Sequence, residues 1–340
     1  MRRKRWAAAY LACGLLLSLQ SCASTAEGSE PVPKPTSVQM RADVAWPEDQ
    51  LERNEDGVPL LKVYVVDEEK LETIDVETYV EGVLAGEMKN DWPMEALKAQ
   101  AILARTFVLK FVQEKESKYP DADISTDIEE AQAYDREAVN DSIREAVAAT
   151  RGQVLSAAGE LPYAWFHAHS GGMTERAVTG LGWNEAEPAY TAVVQGNEPA
   201  TAENEADQQA LNEAQTWEAS FSVEAFQDAC AKLGVDVKVT AETRLSVAER
   251  GEGGRAKAIN VDGQRVDASE LRIILGSTEM RSTLLTSLKV QDGQVVMAGK
   301  GYGHGVGMSQ WGAYGMAQEG QSAEDIVSHY FKDVAVEKLW

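Results

Sequence analysis

The 340-residue chain has only three cysteines, only four histidines and a shortage of basic residues. Cys13 and Cys22 fall in an N-terminal segment that resembles a leader, so Cys230 would be the one free thiol of the mature protein. An intrachain disulfide and a cysteine-based metal site are therefore excluded. Lysine and arginine total 32 against 55 acidic residues, giving a formal net charge of −23. This charge disfavours nucleic acid as a partner.

The N-terminus has the pattern of a bacterial export signal. Residues 1–5 are basic, and residues 6–19 are apolar but short for a bilayer-spanning helix. The sequence Leu19-Gln20-Ser21-Cys22 resembles a lipobox, in which the cysteine is acylated. We therefore expect a lipoprotein signal peptide at 1–21 and an exported protein anchored to the membrane by lipid on Cys22, on a periplasmic or extracytoplasmic face. Ordinary secretion and an uncleaved anchor are the alternatives.

The segment at 22–55 is rich in Ser, Thr, Pro, Glu and Ala, with three prolines close together. Such a composition cannot bury a core and predicts a disordered tether. Ordered structure is expected to begin near Leu60, in a domain that spans 56–340.

Within that domain we expect an α+β fold with one discontinuous core, at about 60–195 and 295–340. Short β-like runs alternate with glycine turns between the two halves and predict a smaller inserted α+β lobe at about 216–294. The polar, acidic stretch 196–215 is expected to be a surface excursion.

Local patterns predict several elements. They are a helix from Val76 to about Met88 capped by Asp75, a helix to Val112 capped by Asp91, a helical stretch from Ile128 to Thr150, a strand pair at 153–156 and 163–169, and helices at 309–319 and 323–331, the last capped by Ser322.

Glu87 is the first candidate for chemistry. It follows the apolar positions Val83 and Leu84 by four and three residues, which places it on the buried face near the end of a helix. Burial raises a carboxyl pKa and can keep the group protonated near neutral pH, as a general acid requires. The pattern alone favours the ordinary alternative, a frayed helix end with Glu87 in water.

Two cations follow on the next predicted helix. Lys98 and Arg105 are seven residues apart, so they lie on one side of that helix beside its apolar stripe. Such a pair could bind a glycan carboxylate or hold a catalytic carboxylate in place. An ordinary solvated helix face is the alternative.

A third candidate group is the run from Tyr163 to Glu175, which contains His167, His169 and Ser170 before two glycines. Histidines two apart on a strand share a face and could hold a metal. No third ligand stands at a diagnostic distance, and no GxSxG motif surrounds Ser170, so we expect no metal site.

Glycine occupies every second position from Gly299 to Gly307, interleaved with Lys300, Tyr302 and His304. In an extended strand, one face would then carry no side chains and allow another backbone or a polymer to approach closely. No phosphate-binding motif is present.

These motifs together resemble the SpoIID/LytB family. The matching segments are Val83-Leu-Ala-Gly-Glu87-Met, Trp92-Pro-Met-Glu-Ala-Leu-Lys98 through Arg105-Thr-Phe, Phe166-His167-Ala-His-Ser170-Gly-Gly-Met-Thr-Glu175 and Gly301-Tyr-Gly-His304-Gly-Val-Gly-Met-Ser309-Gln310-Trp. The resemblance implies that Glu87 is catalytic and that Lys98, Arg105 and His167 belong to the site. It also implies that Tyr302, His304, Ser309 and Gln310 line the same cleft, near Ser170.

One departure concerns Ala131-Gln132-Ala133-Tyr134, where family members often carry Cys-Gln-Val-Tyr. The missing cysteine weakens any metal hypothesis drawn from metal-containing relatives.

The activity that the resemblance implies is a lytic transglycosylase that cleaves MurNAc–GlcNAc bonds in peptidoglycan strands stripped of stem peptides. One carboxyl group suffices, and no cofactor is expected. A non-catalytic glycan-binding module that recruits or activates an N-acetylmuramoyl-L-alanine amidase is the competing hypothesis. A metal-dependent hydrolase using His167 and His169 is a third, weaker one.

Overall fold

A computed structural model of the protein describes residues 44–340. The predicted signal peptide, Cys22 and the first part of the predicted tether lie outside the described residues. Within the described part, no helix is both long and apolar enough to cross a membrane.

The described residues form a mixed α+β structure. The helices are α1 Val76–Glu87, α2 Met94–Glu114, α3 Asp141–Ala149, α4 Ala177–Gly180, α5 Glu205–Gln215, α6 Val223–Lys232, α7 Ala268–Leu275, α8 Gln310–Gln318 and α9 Ala323–Tyr330. The strands are β1 Leu60–Val65, β2 Lys70–Asp75, β3 Ile124–Ser125, β4 Gln153–Ala157, β5 Phe166–His167, β6 Thr216–Ser222, β7 Leu245–Arg250, β8 Ala256–Val261, β9 Gln264–Asp267, β10 Leu285–Gln291, β11 Gln294–Lys300, β12 Met308–Ser309 and β13 Val334–Lys338.

The long helix α2 is the centre of the first hydrophobic core. It packs against α1, α3, α8, α9 and strand β4. Most of its side chains between Ala96 and Phe111 are buried, because they contact partners on several sides rather than on one stripe. This arrangement brings the end of α1 close to the start of α8, although some 220 residues separate them along the chain.

Five small sheets surround these helices. Three have three strands, in the orders β2-β1-β3, β10-β11-β6 and β7-β8-β9. Two are pairs: β12 lies parallel to β5, and β13 lies antiparallel to β4. The β5–β12 pair is short, but it joins the two histidine-containing motifs of the sequence side by side.

A second hydrophobic core lies between Trp217 and Met297 and includes the fully buried Phe226, Ile259 and Leu271. Helices α6 and α7 and strands β6 to β11 contribute to it. A separate core in this part of the chain fits the expected α+β lobe, whose boundaries at about 216–294 remain a prediction.

Ordered structure starts earlier than the sequence suggests. Residues 48–50 form a 3-10 turn, and Val44 and Leu51 are buried in the first core. Ala45 also bridges to Glu160. The expected start near Leu60 is therefore wrong, and the last part of the predicted tether packs against the domain.

The predicted helix from Ile128 is wrong in its first half, since only Asp141–Ala149 is helical. Side-chain oxygens compete for the backbone there: Asp127 accepts from the Glu129 N–H, and Asp135 accepts from the Glu137 N–H. Such local bonds favour turns over helix. Similarly, α2 begins after Pro93 without a side-chain cap, so the expected cap at Asp91 is also wrong.

The predicted pairing of residues 153–156 with 163–169 is wrong. Strand β4 pairs with β13 at the end of the chain, in register from Gln153 opposite Lys338 to Ala157 opposite Val334. The short β5 pairs with β12. Neither partner could be read from local periodicity, because both lie far away in sequence.

The stretch 196–215 is not a simple surface excursion. Its second half is helix α5, capped by Asn204 and anchored by the buried Leu211. Its first part, Gly196 to Glu198, lies against α8.

Candidate functional site

Glu87 is the last residue of α1. Asp75 caps the other end of this helix by accepting a hydrogen bond from the Thr78 N–H at 3.0 Å, as the sequence predicted. Val83 and Leu84 are fully buried, so a residue three or four positions later is directed inward. Glu87 is partly exposed as a residue, yet protein surrounds its carboxyl on most sides.

Segment 131–134 forms a wall beside this carboxyl. The Ala133 N–H donates a hydrogen bond to Glu87 Oε1 at 2.7 Å. Gly86 allows the approach, because a Cβ at that position would lie 2.7 Å from the Tyr134 backbone nitrogen. The segment that departs from the family pattern therefore touches the predicted catalytic residue directly.

Burial raises the pKa of the Glu87 carboxyl to about 7. The cause is lost solvation of the carboxylate, which disfavours the charged form. Hydrogen bonds from Ala133 and Gln310 stabilise that form and limit the rise. No cation among the described residues contributes to the shift. A substantial fraction of Glu87 is thus protonated at neutral pH and available as a proton donor.

The start of α8 faces the end of α1. Ser309 caps α8 by accepting a hydrogen bond from the Gly312 N–H at 3.2 Å. Gln310, the first residue of the helix, donates from its side-chain amide to the Glu87 carbonyl oxygen at 3.3 Å. The motif Ser309-Gln310 is therefore part of the Glu87 site.

Glu198 connects the Ser309-Gln310 motif to the segment that contains His169 and Ser170. Its side chain is 6% exposed, and its Oε1 accepts hydrogen bonds from the Ser309 hydroxyl at 2.7 Å and the Ser170 N–H at 2.6 Å. His169 Nδ1 lies 3.6 Å from the same oxygen. Sequence reasoning missed Glu198, since nothing in its polar, acidic surroundings distinguishes it.

The buried His167 and the partly exposed His304 lie side by side, with ring centroids 5.7 Å apart. His167 Nδ1 lies 3.1 Å from the Val306 carbonyl oxygen and donates to it, so the neutral ring leaves its buried Nε2 without a partner. Burial lowers the pKa of His304 to about 3 and the pKa of His167 well below its usual value. Both rings are neutral at physiological pH.

The glycine-rich run is not the extended strand that we expected. Gly301, Gly303, Gly305 and Gly307 all have φ between 70° and 104°, the left-handed region, so β11 ends at Lys300 and a loop follows. The expected close approach is confirmed: a Cβ at Gly301 would lie 2.6 Å from the His169 carbonyl oxygen.

The buried Arg255, from the second core, holds this loop in place. Its guanidinium donates to the Gly303 carbonyl at 3.2 Å and the Ser170 carbonyl at 2.8 Å. Tyr302, next to Gly303 in the loop, exchanges two backbone hydrogen bonds with His169, at 2.8 and 3.0 Å. The loop and the histidine motif are therefore one rigid unit.

Lys98 and Arg105 do not contact Glu87. Lys98 pairs with Glu95 at 2.8 Å on its own helix. Arg105 is fully buried and donates to Glu77 at 2.6 Å and to the Gln153 carbonyl at 2.9 Å. Glu77 and Glu87 are ten residues apart on α1, about 15 Å. Arg105 thus supports the helix and offers no surface to a substrate in this conformation.

The other six predicted site positions form a connected set with Glu87. They are His167, Ser170, Tyr302, His304, Ser309 and Gln310. Within residues 44–340, no three or more His, Cys, Asp or Glu side chains are grouped as metal ligands.

The sequence was compared with protein families and with known proteins. A family model described as stage II sporulation protein, SpoIID, matches residues 66–156, and a domain of unknown function matches residues 193–307. An uncharacterised protein of Brachyspira hyodysenteriae is 33% identical over 77% of this chain and 67% of its own length. The stage II sporulation protein D of Bacillus amyloliquefaciens is 31% identical over 81% of this chain and 77% of its own.

A more distant relative is the amidase enhancer of Bacillus subtilis, 27% identical over 74% of this chain but only 39% of its own length. The first family match contains α1 and α2, with Glu87 at their junction. From these matches and the shared motifs, the chain belongs to the SpoIID/LytB family.

Proposed function

We propose that this protein is a peptidoglycan lytic transglycosylase that cleaves MurNAc–GlcNAc bonds, in strands already stripped of stem peptides. The observation that carries the proposal is Glu87, whose carboxyl has a pKa raised to about 7 and no cationic partner in the described residues. The relatives named for sporulation and for amidase enhancement support a role at the cell wall.

In the proposed reaction, the protonated Glu87 carboxyl donates its proton to the glycosidic oxygen, and the C1–O bond to GlcNAc breaks. The MurNAc 6-hydroxyl then attacks C1, and the Glu87 carboxylate takes the proton released by that hydroxyl. The product is a 1,6-anhydroMurNAc end, no water is consumed, and Glu87 is protonated again. One carboxyl group performs both transfers, so a second catalytic carboxylate is unnecessary.

Gln310 is suited to orient Glu87, because its amide contacts the end of α1 at 3.3 Å. The neutral His167 is buried with its Nε2 unpartnered, so it lies beneath the site and offers no surface to a substrate in this conformation. Tyr302 is half-buried with the Arg281 guanidinium 5.4 Å from its ring centre, and it provides an aromatic edge to the same region.

Mass spectrometry of the products from amidase-stripped glycan strands tests the proposal. The wild-type protein should release fragments with anhydro ends, and Glu87→Gln should release none. Glu81→Gln is the matched control: Glu81 lies on the same helix, is half-buried and has a raised carboxyl pKa, yet contacts no site residue. It should cut at the wild-type rate.

The amidase enhancer relative favours one competing function, a glycan-binding module that recruits an amidase. If wild type and Glu87→Gln both bind the strands equally and neither cuts them, that function replaces the transglycosylase.

We also propose that the protein is exported and held at the membrane by lipid on Cys22. Fractionation of cells that express Cys22→Ser checks this: the variant should leave the membrane fraction, and retention there would contradict the anchor.

A further inference from the structure

The backbone of residues 196–199 lies against α8, with Gly196 buried and the Asn197 side chain exposed. A side chain at Gly312 would collide with the Gly196 carbonyl oxygen, and a Cβ at Gly315 would lie 2.5 Å from the Asn197 carbonyl oxygen. These glycines are three apart and so form one smooth helix face. The Tyr330 hydroxyl, from α9, donates to the Gly196 carbonyl at 2.5 Å. The segment is therefore held to α8 by backbone contact along its length.

Glu198 is the polar anchor of this segment. Ser170 and Ser309 are both fully buried, and Glu198 Oε1 accepts from each of them. The Ser309 hydroxyl in turn caps α8. Leaving a buried N–H or hydroxyl without an acceptor is unfavourable, so the Ser170 N–H and the Ser309 hydroxyl hold the Glu198 carboxylate in place and are held by it in turn.

We propose that Glu198 is a positioning residue for catalysis, which holds the first turn of α8 so that Gln310 stays against Glu87. The expected fall in kcat rests on the proposed function, whereas the expected change in the pKa of Glu87 does not. Glu198 does not contact Glu87 and acts through Ser309 and Gln310. The other groups that face Glu87 are the Ala133 N–H and the Tyr79 hydroxyl, neither of which contacts Glu198.

The direction in which the pKa of Glu87 should change follows from the contacts that Gln310 makes. Besides its bond to the Glu87 carbonyl oxygen, the Gln310 amide interacts with the Glu87 carboxyl, and this second bond stabilises the ionised form and holds the pKa of Glu87 below the value that burial alone would give. If α8 loosens at its start, the bond weakens and the pKa of Glu87 rises further. Small displacements of an orienting group reduce kcat by up to about 100-fold.

The test measures the pKa of Glu87 by carboxyl carbon NMR, together with kcat and KM, in Glu198→Met and Glu198→Gln. Met fills the space but cannot accept a hydrogen bond, so the pKa of Glu87 should rise and kcat should fall at least tenfold with little change in KM. Gln retains an oxygen at the position that accepts both bonds, so it should restore both readouts towards wild type.

Glu187→Met is the matched control. Glu187 also accepts from two backbone N–H groups, of Ala177 and Val178, both at 2.9 Å, but it has no contact with α8. This variant should lose stability without changing the pKa of Glu87. If Glu198→Met behaves in the same way, Glu198 is structural only and the proposal is overturned.

Should Glu198→Met fail to fold, Gly315→Ala gives a milder displacement of the same segment, by contact with Asn197. It should raise the pKa of Glu87, and an unchanged value would overturn the proposal. The NMR readout does not require cleavage. A wild type that cuts nothing would contradict the proposed function while leaving the positioning of Glu87 by Glu198 measurable.

Discussion

Each end of α1 carries a glutamate, and the two glutamates have opposite surroundings. Glu77, in the first turn, accepts hydrogen bonds from the Arg105 guanidinium at 2.6 Å, from the Gly152 N–H at 2.9 Å and from the Trp340 indole at 2.9 Å. Ten residues later, Glu87 accepts from a single backbone N–H and pairs with no basic side chain in the described structure.

The difference shows how one helix can carry a structural and a chemical carboxylate. A buried carboxylate that pairs with a cation and several hydrogen-bond donors holds parts of the fold together. A buried carboxyl without them favours its neutral form and can give up a proton. The cation that the resemblance assigned to the catalytic group, Arg105, belongs instead to the first kind of site.

The largest expected effect is the loss of stability when the ion pair between Arg105 and Glu77 is broken. Arg105→Met leaves Glu77 without its cation at a position where the glutamate side chain is only 12% exposed. We expect a loss of about 3–5 kcal/mol in the free energy of unfolding, measured by urea denaturation. The double variant with Glu77→Gln should recover part of it.

Arg144→Met is the control for that measurement, because Arg144 pairs with Asp141 on the surface. It should leave the free energy of unfolding unchanged within error. A similar small change in Arg105→Met would contradict the structural role of the Glu77 pair.

The next effect concerns the stability of Glu87→Gln as a function of pH. The pKa of Glu87 is higher in the folded protein, about 7, than in the unfolded chain, so the folded state binds the extra proton between the two values. Stability contributed by this group is therefore complete at low pH and lost as the pH rises through 7. Glu87→Gln removes that loss and should be more stable than wild type at pH 8, by about 3 kcal/mol.

At pH 4 the same variant and wild type should unfold with similar free energies, since both carry a neutral group. Thermal or urea unfolding at the two pH values checks this. Equal stabilities at pH 8 would mean that the Glu87 carboxyl ionises without penalty.

The smallest effect tests the wall beside Glu87. Gly86→Ala should push the Ala133–Tyr134 backbone away and weaken the N–H bond to Glu87, because the new methyl lies 2.7 Å from a backbone nitrogen. We expect about 1 kcal/mol of destabilisation and a higher pKa of Glu87, read by NMR.

Gly82→Ala, on the same helix, would place its methyl closest to the Tyr134 ring, with 2.6 Å to Cζ. A ring can turn aside more readily than backbone can move. It should cost stability without raising the pKa of Glu87, and an equal rise in both variants would show that the wall does not act through Ala133.

The sequence predicted those features that local signals determine. The Asp75 cap of α1, the inward direction of Glu87 and the Ser322 cap of α9 all depend on residues within four positions of each other. The mixed α+β class and the family followed from longer motifs along the chain, the longest from Trp92 to Phe107. The same signals failed for Ile128 onward, where aspartate side chains bind the backbone.

Long-range partners could not be predicted from one sequence. Arg105 meets Glu77 across 28 residues, and Glu198 meets Ser309 across 111. Neither acidic residue differs in its neighbours from the many exposed acids of this chain. Their roles depend on which surfaces the fold brings together, so only the structure separates them from solvated charges.

The most direct test of the contrast between the two ends of α1 is an NMR titration of the glutamate carboxyl carbons, with Glu87→Gln used to assign the signal of Glu87. We predict a midpoint near pH 7 for this carboxyl. A midpoint near 4, the range of an exposed glutamate, would mean that Glu87 is ionised at neutral pH, and the proposed general acid would be contradicted.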